Sequence, residues 1–149
     1  LIAFDANILF YVFDWREAAK QRLAAELLRN AETAEIGTIP LQALGEFAHS
    51  TVRRTLLSRS EAYAAVSGWL SLFPVSAADA EAMSIALEWW KAERFSYWDA
   101  LLIATVMRSK ATALASEDLQ DGAIIGGVEI INPFADDAPG RFAAHGLAL

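Results

Sequence analysis

Residues 96–122, SYWDALLIATVMRSKATALASEDLQDG, decide how the rest of the sequence is read. The first half carries an apolar run, Ala100 to Ala104 followed by Val106 and Met107, of helical length. TALAS at 112–116 is strand-like, and Asp121-Gly122 closes the stretch with a turn. A helix feeding a buried strand is half of a βαβ unit, so the pattern predicts helices packed on a parallel sheet. Yet acids stand at the borders: Asp99 where the apolar run begins, Glu117 and Asp118 where the strand ends, and Asp121 just beyond. A segment that enters the core brings carboxylates with it.

The same alternation extends outward along the chain. IAFD at 2–5 reads as a buried strand, and REAAKQRLAAELLRNAE at 16–32 as an amphipathic helix with Ala19, Leu23, Leu27 and Leu28 on one stripe. EIGTI at 35–39 is a second strand, and Pro40 is placed to open the helix LQALGEFAHSTVRR at 41–54. Ser58 or Ser60 caps a further helix ending near Trp69 to Leu72, and FPVS at 73–76 is a third strand. Residues 77–93 are helical, and VEII at 128–131 completes the strands. The tail from Asn132 reads as loop, with Pro139-Gly140 breaking any regular element. Gly126-Gly127 is a turn before the last strand and lacks the spacing of a phosphate-cradling loop. A single α/β domain over 1–149 with a mostly parallel sheet is expected.

With 55% hydrophobic residues and no cysteine among its 149, the chain is suited to a well-filled core and has no means of forming disulfides, thiolate metal sites or cysteine nucleophiles. No apolar run approaches the roughly 20 residues of a membrane span. The opening LIAFDANILF has neither a basic leader nor a small-residue cleavage site, although Leu1 stands where an initiator Met would; a cytoplasmic protein is expected. The net charge of −7, from 19 acids against 12 Lys and Arg, argues against a passive nucleic-acid binder but not against a nuclease whose acids surround a metal. With only His49 and His145, the imidazoles are too few for a typical zinc site. Trp69, Trp89, Trp90 and Trp98 sit at helical spacings and are expected in the core or at a dimer contact.

Parallel sheets place ligands beyond the C-terminal ends of their strands. Asp5 ends the first strand and Ser116-Glu117-Asp118 ends the fourth, so neighbouring strands would bring Asp5 and Asp118 together, with Asp99 able to point the same way. Each acid also has a structural explanation. Asp5 can cap a helix at Ala6, Ser96-Tyr97-Trp98-Asp99 has capping-box spacing, and Asp118 and Asp121 suit turns. Glu46 falls opposite the Leu41, Leu44, Ala48 and Val52 stripe, which places it in solvent. Together they are harder to explain structurally, because two carboxylates about 5 Å apart repel by roughly 3 kcal/mol at an effective dielectric near 20. Convergence calls for a cation, and an all-oxygen donor set suits a hard divalent one.

FDANILFYVFD at the N-terminus, the helix of Glu46, YWDALLIATV at 97–106 and LASEDLQDG at 114–122 resemble, in order and spacing, the PIN-domain ribonucleases, and among them the VapC-type toxins of bacterial toxin–antitoxin pairs. The resemblance implies a three-layer α/β/α fold around a central, mostly parallel sheet. By position, Asp5, Glu46, Asp99 and Asp118 match the family's acidic quartet, Asn7 the polar residue that orients the first acid, and Ser116 the Ser/Thr before the last. Asp121 is held as auxiliary. It also implies that the Glu46 face of its helix looks into the acidic cleft.

The implied activity is Mg²⁺- or Mn²⁺-dependent endoribonuclease chemistry, with the metal held mainly by Asp5, Asp99 and Asp118 and with Glu46 holding a second cation or a water. Water would attack phosphorus in line and leave a 5′-phosphate and a 3′-hydroxyl. Implied partners are an RNA substrate, a VapB-type antitoxin and a second copy of the chain. Helix faces around Trp69 and Leu70 are candidates for the homodimer, and a persistent monomer by light scattering would count against it. Two rivals differ in class. A haloacid-dehalogenase-like phosphatase normally has a second Asp two positions after the first, where this chain has Asn7. A catalytically silent PIN-like scaffold would typically have lost an acid, and metal binding discriminates it.

Overall fold

The computed structural model describes residues 1–149. Its elements, in chain order, are β1 (Ile2–Phe4), α1 (Ala6–Tyr11), α2 (Ala18–Thr33), β2 (Gly37–Pro40), α3 (Leu41–Arg53), α4 (Arg59–Leu72), β3 (Val75–Ser76), α5 (Ala80–Lys91), α6 (Tyr97–Arg108), β4 (Ala113–Ala115), β5 (Ile124–Ile125), β6 (Val128–Ile131) and α7 (Ala138–Ala144). The six strands form one sheet in the order β3-β2-β1-β4-β6-β5. All pairs are parallel except β5 with β6.

Strand alternation divides the core into two layers, as a sheet covered on both faces requires. Ile2 and Phe4 of β1, Ala113 and Ala115 of β4 and Ile131 of β6 face a cluster of 20 buried residues shared with α1, α2, α3 and α7. Ala3, Leu114, Val128 and Ile130, the intervening residues, face the other way, onto Leu102, Ile103 and Val106 of α6. α5 packs outside α6 through Ala82 and Ala86 against Ala100, Leu101 and Ala104. The result is the expected three-layer α/β/α arrangement.

The helix starts follow local chemistry. Ser58 opens α4 with a complete capping box: its Oγ accepts from the Glu61 N–H at 3.1 Å while the Ser58 N–H donates to Glu61 Oε2 at 2.7 Å. Ser96 opens α6 with only half of one, accepting from the Asp99 N–H at 3.3 Å. The Asp99 carboxylate does not return the bond. The Pro40 expectation shifts by one residue, since Pro40 ends β2 and is the N-cap of α3.

Two elements depart from the sequence expectations. The tail is not loop throughout, because Ala138–Ala144 is helical with Pro139 in its first turn. A proline there forfeits only an N–H that no intrahelical carbonyl would accept, and buried Phe142 and Leu147 hold the segment on the core. Gly126 and Gly127 join β6 to a partner strand, β5, as a hairpin. Both glycines have positive φ, 57° and 83°, the combination that a type I′ turn demands.

At Gly37 a side chain has no room. A Cβ there would stand 2.6 and 2.8 Å from ring carbons of Phe73 and 3.3 Å from Ala31 Cβ. Phe73 is itself buried and packs edge-on against Phe4. Gly37→Ala is therefore expected to cost about 1–3 kcal/mol in urea denaturation, the usual range for overpacking. Combining it with Phe73→Leu should recover part of that loss. An unchanged midpoint for the single variant would mean that the Phe73 ring yields freely.

Candidate active site

β1 and β4 are neighbours at the centre of the sheet and end at the same edge. The Asp5 N–H still donates to Ala115 O, and the Ser116 N–H to Ile131 O, each at 3.0 Å. Asp5 and Ser116 are thus the last rungs of the ladder. From β1 the order runs one way through β2 and β3 and the other way through β4 and β6, and crevices form where an α/β sheet reverses like this.

Asp5 caps α1 and is at the same time the centre of the candidate group. Its Oδ1 accepts from the Ala6 N–H at 2.7 Å and starts α1, while Oδ2 accepts from Ser116 Oγ at 2.7 Å and Asn7 Nδ2 at 3.1 Å. The Asn7 amide joins the two strand ends. Nδ2 also lies 3.1 Å from Asp118 Oδ2 and 3.3 Å from Ser116 Oγ, and Oδ1 accepts from the Glu117 N–H at 3.2 Å. Four of the sequence candidates, Asp5, Asn7, Ser116 and Asp118, therefore form one hydrogen-bonded group.

Asp5 is 7% exposed, and its carboxyl is pushed up to about 6. Burial is the main cause. The bonds from Ser116 and Ala6 oppose it, and the negative charges of Glu46 and Asp118 reinforce it. Glu46 thus lies close enough to act on Asp5 despite its place on the exposed side of α3. Gln42, one turn earlier, donates from Nε2 to Glu46 Oε1 at 2.8 Å and to Trp98 O at 3.1 Å, tying α3 to the start of α6. The buried Oε1 of the same amide has no donor.

Asp99 follows the Trp98 carbonyl held by that link and does not join the group. It is half-buried, and its carboxylate makes no hydrogen bond or ion pair. No three of the chain's acidic or imidazole side chains stand close enough to form a ready-made ligand set. Asp121 is directed elsewhere: Oδ1 accepts from the Asn132 N–H and from Arg141 Nη1, both at 2.8 Å, and these bonds outweigh burial to hold its carboxyl below the usual range.

A cleft of about 350 Å³ opens beside the group, lined in part by Asn7, Phe10, Glu46, Arg54, Glu117 and Asp118. Sequence reasoning left Glu117 without a role. The structure places its carboxylate between the Tyr11 hydroxyl and the Lys20 ammonium, next to Asp118 in the chain. Burial pushes Glu117 up, but these two donors together hold it below its ordinary value. Nothing local in the sequence announces the Lys20 pair, since 97 residues separate its members.

His49 is exposed, and His145 contacts Glu129 and Thr112 away from the cleft. Trp69 is in the core against Phe47, whereas Trp90 and Trp98 are on the surface, 51% and 61% exposed. For those two, only the dimer-contact half of the expectation stays open.

The donors at this edge are carboxylate, amide and hydroxyl oxygens, the chemistry of a hard divalent cation. The Asp5 carboxylate, repelled by Glu46 and Asp118, keeps a raised carboxyl despite its hydrogen bonds, and such an ion would offset what they leave, so the residues present fit one.

The PIN domain family model matches residues 2–120. Among solved structures, the chain is similar to VapC20 of Mycobacterium tuberculosis, a sarcin–ricin-loop-cleaving toxin. The TM-score is 0.60 and the identity 20%, over 99% of this chain and 97% of that one. No curated protein matches the sequence.

Proposed function

The chain belongs to the PIN domain family, and from that premise we propose that it is a metal-dependent endoribonuclease acting as the toxin of a toxin–antitoxin pair. The observation that carries this reading is the group Asp5–Asn7–Ser116–Asp118, in which a buried carboxyl is pushed up to about 6 at the C-terminal edge of the sheet. Asp5 and Asp118, with Glu46 and Asp99 completing the set on substrate and metal binding, hold Mg²⁺ or Mn²⁺. That cation supplies neutralisation of phosphate charge and activation of water.

The chain's own residues divide the remaining tasks. Asn7 and Ser116 fix the Asp5 carboxylate through two donors, so its lone pairs toward the cleft keep one orientation. Tyr11 and Lys20 hold Glu117 and thereby the turn that presents Asp118. Gln42 holds Glu46 and the backbone before Asp99. No side-chain nucleophile is required.

By similarity to the toxin fold, the partners are RNA, a VapB-type antitoxin and a second copy of the chain. Half-exposed Leu70 remains available to a dimer face, and buried Trp69 does not. No helix is long and apolar enough to cross a membrane.

The test offers end-labelled structured RNA, beginning with a sarcin–ricin-type loop, to the antitoxin-free chain with Mn²⁺ or Mg²⁺. Cleavage should vanish with EDTA and in Asp118→Asn. Mn²⁺ should raise the melting temperature of the wild type and not of that variant. Failure to cleave any RNA together with no thermal response to Mn²⁺ would leave a PIN-like scaffold.

A further inference from the structure

Arg54 is the one cation in the wall of a cleft that otherwise presents Asp14, Glu17, Glu46, Glu117 and Asp118. Its place is set by the end of α3. The Arg54 N–H donates to Ser50 O at 3.0 Å, after which Thr55 takes a left-handed φ of 58°. The chain then doubles back, with the Leu56 and Leu57 N–H groups donating to the Thr51 carbonyl at 2.9 and 3.2 Å.

The side chain leans on α1. Its guanidinium carbon lies 5.1 Å from the centroid of the Phe10 ring, within cation–π reach, and Phe10 is buried. The guanidinium makes no hydrogen bond and no ion pair in a cleft full of carboxylates. Arg54 helps to lower the nearby Asp14 carboxyl, but Arg16 already holds both Asp14 oxygens, at 2.7 and 3.2 Å. Lys20 is committed in the same way to Glu117. An arginine serving only to balance the cleft's charge would pair with one of its acids. Arg54 instead keeps a planar fork of donors oriented by an aromatic ring, the arrangement suited to a phosphate.

Position agrees with chemistry. Phe10 follows Asn7 by three residues and shares its face of α1, about 5 Å further along the helix axis. Arg54 therefore lines the same cleft of about 350 Å³ as Asn7 and Asp118, with its guanidinium on a ring one helical turn beyond Asn7. Resting on the nuclease reading above, we propose that Arg54 binds a backbone phosphate of the RNA neighbouring the one that is cleaved.

The experiment measures cleavage of a single-stranded oligonucleotide in Mn²⁺ across a salt series for the wild type, Arg54→Ala, Arg54→Gln and Arg54→Lys, with the Mn²⁺-induced melting shift of each. The neutral variants should raise KM about tenfold, the loss of one charge-assisted contact, with kcat within about twofold. Their plot of log KM against log salt should flatten by about 0.7, the contribution of one single-strand phosphate contact. Arg54→Lys should restore that slope but only part of KM, because the fork and the ring contact are lost. The Mn²⁺ shift should match the wild type in all three.

Wild-type cleavage with KM and salt slope unchanged in the neutral variants overturns the Arg54 proposal and leaves the nuclease reading standing. A fall in kcat alone overturns it too. A wild type that neither cleaves nor responds to Mn²⁺ removes both.

Discussion

Asp5→Asn is expected to abolish metal-dependent RNA cleavage, by at least 100-fold, while making the metal-free protein more stable at pH 7.5. The two effects share one cause. In the folded chain the Asp5 carboxyl is pushed up to about 6 from an ordinary 3.8, chiefly by burial. Asp5 therefore favours the folded state fully below about pH 4, and that contribution is lost as pH rises toward 6 and beyond. The shift of about two pH units corresponds to about 3 kcal/mol of penalty on the ionised form at neutral pH.

Asparagine removes the charge but presents an amide N–H₂ to Asn7, so the net gain should be about 1–2 kcal/mol. The variant should be the less stable protein at pH 4, by about 1–2 kcal/mol, overtake the wild type as pH rises toward 6, and hold a level advantage above that. Asp14, Glu117 and Glu129, whose carboxyls are held low by their partners, destabilise both proteins on acidification and cancel in the comparison. Mn²⁺ should close the gap by stabilising only the wild type. A variant less stable than the wild type at pH 7.5 would show that the three hydrogen bonds of Asp5 outweigh its burial.

Phe47→Ala is the largest loss of stability expected from any single change considered above, about 3–5 kcal/mol. The ring follows Glu46 on α3, is fully buried, and lies 4.8 Å from Trp69 and 5.7 Å from Phe13, centroid to centroid. Its edge-to-face contact with Trp69 adds about 0.5–1.5 kcal/mol to area burial. Because Trp69 and Phe13 also meet edge-on, removing Phe47 opens the middle of a three-ring cluster that cannot close by one rotamer change. Against a typical total of about 5–15 kcal/mol, the melting temperature should fall by about 10 °C or more. Urea titration with an unchanged m-value would check it, and a loss under about 1 kcal/mol would show that the cluster repacks.

Much of the site was legible because strand ends are legible. Asp5 and Asp118 follow buried β runs, and a parallel sheet brings such ends together, so neighbouring strands sufficed to join them. Glu46 was not legible by periodicity. It does lie on the exposed side of α3, and only the meeting of α3 with the sheet edge turns that side toward Asp5. Asp99 looked like part of a capping box, and the geometry resolves the ambiguity: its backbone is capped while its carboxylate stays free. Glu117, Lys20 and Gln42 were invisible because their pairings cross long stretches of chain or end on backbone oxygen. β5 has too few residues to show alternation, and α7 forms around a Pro-Gly pair because tertiary packing overrides weak local propensity.

The parallel pairing of β1 with β4 has a consequence for biosynthesis. Ser116 reaches back across 111 residues to Asp5, so a chain still being translated carries Asp5 and Glu46 well before it can carry Asp118 beside them. Domains fold as units once their long-range pairings are available, and the central rung of this sheet is among the last to become so. On the nuclease reading, a nascent chain or a prematurely terminated fragment is harmless to the RNA around it. On that reading the site assembles only after the chain has emerged past Asp118.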